Sequence, residues 1–218
     1  MELRQAILLI GPTGAGKTPL GESLERHGLC GLRCAHFDFG SRMRRIVDAD
    51  EAATGLHREE IEFLSSVLDS GALLEDRHFP IAERILRAFI ADRHLGGTDL
   101  LVLNGLPRHA GQARGIGEML DVRLVVELTC TADTVLRRIR TNSGGDRHNR
   151  SDDDVESVRR RLAIFRERTA PLLDFYRTHG VPILSLEVHA ETKADDLRHL
   201  LGERVVGLRT AGGGHTDA

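Results

Sequence analysis

Eight consecutive residues near the N-terminus, Gly11, Pro12, Thr13, Gly14, Ala15, Gly16, Lys17 and Thr18, set three glycines, an amine and two hydroxyls where an apolar run gives way to a helical pattern. The spacing G-x-x-x-x-G-K-[ST] suits the binding of a polyphosphate. Glycines at 11, 14 and 16 let successive backbone N–H groups turn inward on an anion without a Cβ in the way, and the helix N-terminus adds its partial positive charge. Lys17 then reaches the outer phosphates, and the Thr18 hydroxyl is a ligand for Mg²⁺. Pro19, directly after, is tolerated because first-turn N–H groups have no acceptor within the helix. Such a loop serves any nucleoside triphosphate and does not name an acceptor.

Arginines near loop signals bear on the acceptor. Arg44 lies in "GSRMRR", expected at the start of a helix after the second apolar segment, and Arg108 follows the Gly-Leu-Pro turn after "LLVLN". Arg138, Arg150 and Arg161 are spread along a long helical stretch and its loop, with Asp152 and Asp153 at the helix start, where carboxylates are favoured. An acceptor hydroxyl asks for a carboxylate to take its proton, and Asp38 in "HFDFG" is the candidate for that role. An acceptor phosphate is already ionised and needs instead a cage of permanently charged donors. The arginine set favours the phosphate.

These groups need a scaffold, and the apolar pattern supplies one. Segments of strand length at 6–10, 34–37, 100–103, 123–128 and 181–186 alternate with helical patterns, clearest where Val155, Val158, Leu162 and Phe165 recur at three and four residue steps. That alternation predicts an α/β fold with a five-stranded parallel sheet flanked by helices. From 40 to 89 no strand is expected and the pattern reads as a helical insert. From 141 to 150, "TNSGGDRHNR" reads as a mobile loop. The tail "AGGGHTDA" is expected to be disordered.

Composition bounds the class. Of 218 residues 40% are hydrophobic and 29% charged, the profile of a soluble globular protein, and a net charge of −3 gives no electrostatic case for a nucleic acid polymer. The aliphatic runs are too short to cross a bilayer and the N-terminus lacks a signal-peptide pattern, so no membrane partner and a cytoplasmic location are expected. Cys30, Cys34 and Cys130 form no metal-binding pair and are read as small buried residues. None of the eleven histidines falls in a zinc spacing.

From residue 6 to about 186 the chain resembles the adenylate kinase family of nucleoside monophosphate kinases. "LNGLPRHAGQ" resembles that family's Asp-Gly-Phe-Pro-Arg segment with its following Gln, here Gln112; "FGSRMR" resembles its Gly-Asp-x-x-x-Arg stretch, placing Gly40 and Arg44; "SGALLED" resembles the segment lining the monophosphate base pocket, with Gly71 and Leu74; and Arg150 and Arg161 keep the separation of its second arginine pair. The resemblance implies a P-loop NTPase fold in one domain, 1–206. Its core would be 1–39, 90–140 and 153–206, its monophosphate-binding arm 40–89, its short lid without zinc cysteines 141–152, and its disordered tail 207–218.

The resemblance also implies roles. ATP would lie on residues 11–18 with Arg138 against its base. The acceptor would be held by Gly40, Arg44, Leu74, Gly105, Arg108 and Gln112, with Gln112 on its base, and Arg138, Arg150 and Arg161 would close over the triphosphate and neutralise the transferring group. Thr18 and Asn104 would serve Mg²⁺. The chain departs from the family where Asn104 stands for an Asp, Phe39 and Ser41 for the Thr and Asp beside the glycine, Ala72 for a Lys, and Asn142 for a second lid arginine. The implied reaction is ATP + AMP = 2 ADP in a monomer. A UMP/CMP kinase, a P-loop small-molecule kinase using Asp38, and a nucleotide-binding regulator that has lost catalysis remain the alternatives.

Overall fold

Alternate residues of β1 (Arg4–Ile10) face different layers: Ala6, Leu8 and Ile10 join one apolar cluster, and Ile7 and Leu9 join another. A strand buried on both faces favours apolar residues on each, which is why Ala6 to Ile10 form a continuous aliphatic run. The structure, a computed structural model, describes residues 3–49, 55–146 and 155–212, the last six as backbone only.

β1 is the middle of a sheet completed by β2 (Cys34–Asp38), β3 (Leu100–Asn104), β4 (Leu120–Thr129) and β5 (Ile183–Glu187), all parallel, in the order β2-β3-β1-β4-β5. Each apolar segment read from the sequence becomes one of these strands. In β4 the register shifts between Ala6 and Ile7, which oppose Val122 and Leu124, so Arg123 is an extra residue. This bulge turns Val125 into the layer of Val122 and sends Leu124, Val126 and Leu128 to the other.

The helices are α1 (Lys17–His27), α2 (Phe39–Val47), α3 (Arg58–Ser70), α4 (Phe79–Asp92), α5 (Ala110–Gly117), α6 (Ala132–Thr141), α7 (Val155–Ile164), α8 (Leu172–Thr178) and α9 (Ala194–Gly212), with a 3₁₀ turn at Asp76–His78 and a π turn at Phe165–Thr169. Residues 40–49 and 55–89 hold no strand. The second half of that stretch is nonetheless woven into the main core: Ala82, Ile85, Leu86 and Phe89 of α4 share a cluster with Phe37, Leu101 and Leu103, and the Phe37 and Phe89 rings meet edge-on at 5.2 Å.

Three local expectations change. α9 carries the chain past residue 206 to Gly212, because Arg204 to Ala211 include strong helix formers and the run of glycines begins only at 212. Cys30 is exposed, at φ 49° in the turn closed by the Leu29–Leu32 bridge, while Cys34 is buried in the core with its thiol pushed up to about 12 by that burial. Arg44 lies in the last turn of α2, not its start. Among the described residues no helix is long and apolar enough to cross a membrane.

The strand order places the site. The chain leaves β1 in one direction to build β2 and β3, then crosses to the other side for β4 and β5, so connections diverge between β1 and β3. In parallel sheets the crevice outside the carboxyl ends at such a reversal is where ligands sit.

Candidate active site

The loop after β1 enters that crevice. At Gly11 a Cβ would lie 2.8 Å from the Leu128 carbonyl oxygen, so only glycine lets the chain turn this close to β4, and Gly14 and Gly16 hold φ of 76° and 95°. Ala15 is fully buried in the cluster beneath and anchors the loop. α1 starts from Gly16 with no side-chain cap, so its first N–H groups open toward the crevice. Pro19, third in the helix, is buried and sacrifices no helical bond. Lys17 folds back, its Nζ donating to the carbonyls of Gly11 at 2.7 Å and Pro12 at 2.8 Å.

Beside the loop, the ends of β2 and β3 contribute a small polar cluster. The Thr18 hydroxyl donates to Asp38 Oδ2 at 2.6 Å. Asn104 Nδ2 donates to the same oxygen at 2.8 Å and to Thr18 Oγ1 at 3.1 Å. Asp38 Oδ1 accepts from the Ser41 N–H at 2.8 Å and thereby caps α2. Asn104 thus turns its amide nitrogen, not its carbonyl oxygen, toward Thr18.

The cleft extends from the loop past Asp38, Asn104 and Gly105 to Gly40, Arg44 and Arg108, with Arg138 and Arg161 along it. Met43, Val67, Leu68 and Phe165 form an apolar wall at the far end, and Gly144 and Asp146 approach from beyond α6. Sequence reasoning did not assign the four wall residues to the site, since an apolar residue facing a cleft has the same pattern as one facing the core; Gly144 and Asp146 fall within the expected 141–152 lid.

Burial, and next the charge of Arg161, pull the Arg108 guanidinium below the ordinary arginine range, with Asp38 acting the other way. Arg108 Nε donates to Thr169 Oγ1 at 3.3 Å. Arg161 Nε donates to the Ser157 carbonyl at 3.4 Å. The Arg44 guanidinium lies over Gly40, its nitrogens 3.7 and 3.8 Å from where a Cβ would be. Arg138, only 4% exposed, ties the phosphate loop to the turn before α9: Nε donates to Gly14 O at 3.1 Å, and Nη1 to the carbonyls of His189 and Thr192 at 2.9 Å and of Ala190 at 3.2 Å.

Two expected contacts lie behind the cleft. Gln112 is buried, its Nε2 donating to the Leu74 carbonyl at 2.8 Å while its Oε1 accepts the Arg108 N–H at 2.7 Å. His109 Nε2 donates to the same carbonyl at 2.8 Å. Gln112 therefore joins Arg108 to the segment after α3, and neither it nor Leu74 lines the cleft. Arg150, with Asp152, Asp153 and the second half of the 141–152 lid, lies outside the described residues; α6 is capped by Asn142, left-handed at φ 47°.

No protein-family model matches the chain. The adenylate kinase of Thermobifida fusca (strain YX) is 32% identical over 183 residues, covering 80% of this chain and 86% of that protein. The adenylate kinase of Rhodopirellula baltica is also 32% identical, over 182 residues, covering 80% and 83%. With the adenylate kinase of Synechococcus sp. (strain CC9311) the chain shares 29% identity over 212 residues, which covers 94% of this chain and 99% of the other.

Proposed function

The chain belongs to the adenylate kinase family, and we propose that it transfers the γ-phosphoryl group of ATP to a nucleoside monophosphate, AMP before UMP or CMP. The observation that carries the proposal is Arg108, half-buried in the cleft wall, where desolvation and the like charge of Arg161 both oppose its charge. Two guanidiniums held this way favour a dianion between them, and an acceptor phosphate supplies one.

The backbone N–H groups of residues 14–18 cradle the triphosphate, and Lys17 leaves the Gly11 and Pro12 carbonyls to reach its outer phosphates. Arg44 and Arg108 hold the acceptor phosphate, and the wall of Met43, Val67 and Leu68 covers its base. Arg161, along the cleft, neutralises the transferring group. Because the acceptor oxygens are already ionised, no base is required; transfer is in line, without a covalent intermediate, and its rate comes from positioning and charge neutralisation. Arg138 keeps the loop registered against the turn before α9, where the ATP base would rest.

The Thr18 hydroxyl and the neighbouring carboxylate are hard oxygen donors next to the phosphate loop, and they fit Mg²⁺. Bound there, Mg²⁺ would supply positive charge to offset the negative charge that develops during transfer. Asp38 is poorly suited to act as base for a hydroxyl acceptor, because three donors already engage its two oxygens. One chain carries both halves of the cleft, which supports a monomer as the working unit, and the cytoplasm, where its substrates are found, is the proposed location.

The test is ADP formation from ATP and Mg²⁺ with AMP, GMP, CMP, UMP, dTMP or shikimate in turn. AMP is expected to stimulate most. Stimulation by none of the monophosphates overturns the proposal, and stimulation by shikimate alone selects the hydroxyl-acceptor kinase.

A further inference from the structure

Asn104 lacks the negative charge that the family resemblance leads one to expect at the end of β3, close to the metal. The last residue pair of the β2–β3 ladder is Asp38 with Asn104. Neighbouring strands lie only about 4.8 Å apart, so a carboxylate moved from one member of this pair to the other stays within a side chain's reach of the same point. Taking the phosphotransfer function above as its basis for a metal, we infer that Asp38 supplies the negative charge at the Mg²⁺ corner of the cleft, and that Asn104 is its neutral partner.

Four observations support the exchange. Asp38 Oδ2 is aimed at the phosphate-loop hydroxyl of Thr18, which is suited to Mg²⁺, and accepts its proton at 2.6 Å. A hydroxyl that gives its proton to a carboxylate turns its lone pairs outward; Asn104 Nδ2 takes one of them at 3.1 Å, which leaves the other for a cation. Asp38 is held from two sides, by the Ser41 N–H on Oδ1 and Asn104 Nδ2 on Oδ2, so its charge is fixed in place. The 2.8 Å contact from Asn104 is favourable only because one member of the pair is an amide; two carboxylates this close would force one to take up a proton. Finally, Asp146, the other carboxylate along the described cleft, lies within electrostatic range of Arg138, whose charge it favours. A negative field at this corner also reaches Glu22 of α1: burial raises its carboxyl first, then Asp146, with Asp38 adding to the effect. Asn104 is thus one half of an acid–amide pair written in the opposite order.

The experiment measures Mn²⁺ binding to the protein–ATP complex by electron paramagnetic resonance, without any acceptor, in the unsubstituted chain, in Asp38→Asn, in Asn104→Asp and in the double variant. Asparagine caps a helix about as well as aspartate, so Asp38→Asn retains the start of α2. Asp38→Asn is expected to weaken Mn²⁺ binding by roughly 10- to 100-fold, while ATP affinity measured in EDTA is unchanged. The double variant, with the acid back on β3, is expected to recover most of that loss. Asn104→Asp alone is expected to bind Mn²⁺ no more tightly at neutral pH than the unsubstituted chain. Unchanged Mn²⁺ affinity in Asp38→Asn overturns the inference, even if transfer is lost, as does a double variant that recovers nothing. Since no acceptor is present, a chain that phosphorylates no monophosphate would sink the proposed function and leave this result standing.

Discussion

Arg108 sets function against stability within one side chain. In the folded chain its charge is opposed by burial and by Arg161, and among the described residues its side chain has one hydrogen bond, at 3.3 Å, to Thr169. Its value lies in the phosphate it is placed to meet. Arg108→Ala is therefore expected to lower kcat/KM for the acceptor by roughly 10²- to 10³-fold, with the urea midpoint unchanged or raised. A coupled assay and urea unfolding on the same preparation check both halves. Intact transfer in this variant would overturn the assignment of Arg108 to the acceptor. The residue scale was the most legible in the sequence: a run of eight residues announced the donor loop, and a Gly-x-Pro-Arg turn announced Arg108. The partners of those residues were not legible, which is why Asp38 was weighed only as a base and Gln112 only as a base-pocket contact.

Helix placement depends on close approach. α5 carries Gly111 and Gly115 one turn apart on its face toward the start of α4, where a Cβ at Gly115 would overlap the Phe79 ring and one at Gly111 the Asp76 carboxylate. Overpacking costs about 1–3 kcal/mol, whereas replacing a helical glycine by alanine recovers at most about 1 kcal/mol. Phe79 packs against the main core and cannot swing clear, but the Asp76 side chain is 66% exposed and can. Gly115→Ala is expected to lower the urea midpoint and to raise the acceptor KM more than the ATP KM, because α5 also carries the Gln112 link to Leu74. Gly111→Ala is expected to leave the midpoint unchanged or higher. Equal effects of the two substitutions would show that Phe79 does not set this contact. In the sequence both glycines look like breaks in a short helix; only the neighbour they admit gives them a purpose.

At the scale of the whole molecule, His36 links folding to pH. Its ring lies beneath Gly21, between α1 and β2, where a Cβ on Gly21 would overlap it; it is 8% exposed, and its Nε2 has no hydrogen-bond partner among the described residues. Burial lowers its pKa, against the opposing charges of Asp38 and Glu25. A histidine held neutral in the folded chain binds its proton more readily when unfolded. Its contribution is therefore complete above the unfolded value of about 6.5 and is lost as pH falls below it toward the depressed folded value. The urea midpoint is expected to fall between about pH 6.5 and 5, and His36→Gln is expected to flatten that part of the slope. An unchanged slope would assign the loss to other groups.

By itself the sequence determined the donor side and the sheet. Both are local: the phosphate loop closes on its own glycines and the N-terminus of the next helix, and an aliphatic run of strand length buried on both faces has few alternatives to a parallel strand. Tertiary structure alone decided which carboxylate stands beside Thr18, what Gln112 grips, and how Arg138 fastens the loop. The reason is distance along the chain. Asp38 and Asn104 are 66 residues apart, Gln112 and Leu74 are 38 apart, and Arg138 and Gly14 are 124 apart. Strand register and helix packing bring each pair together, and no spacing within the sequence encodes the meeting.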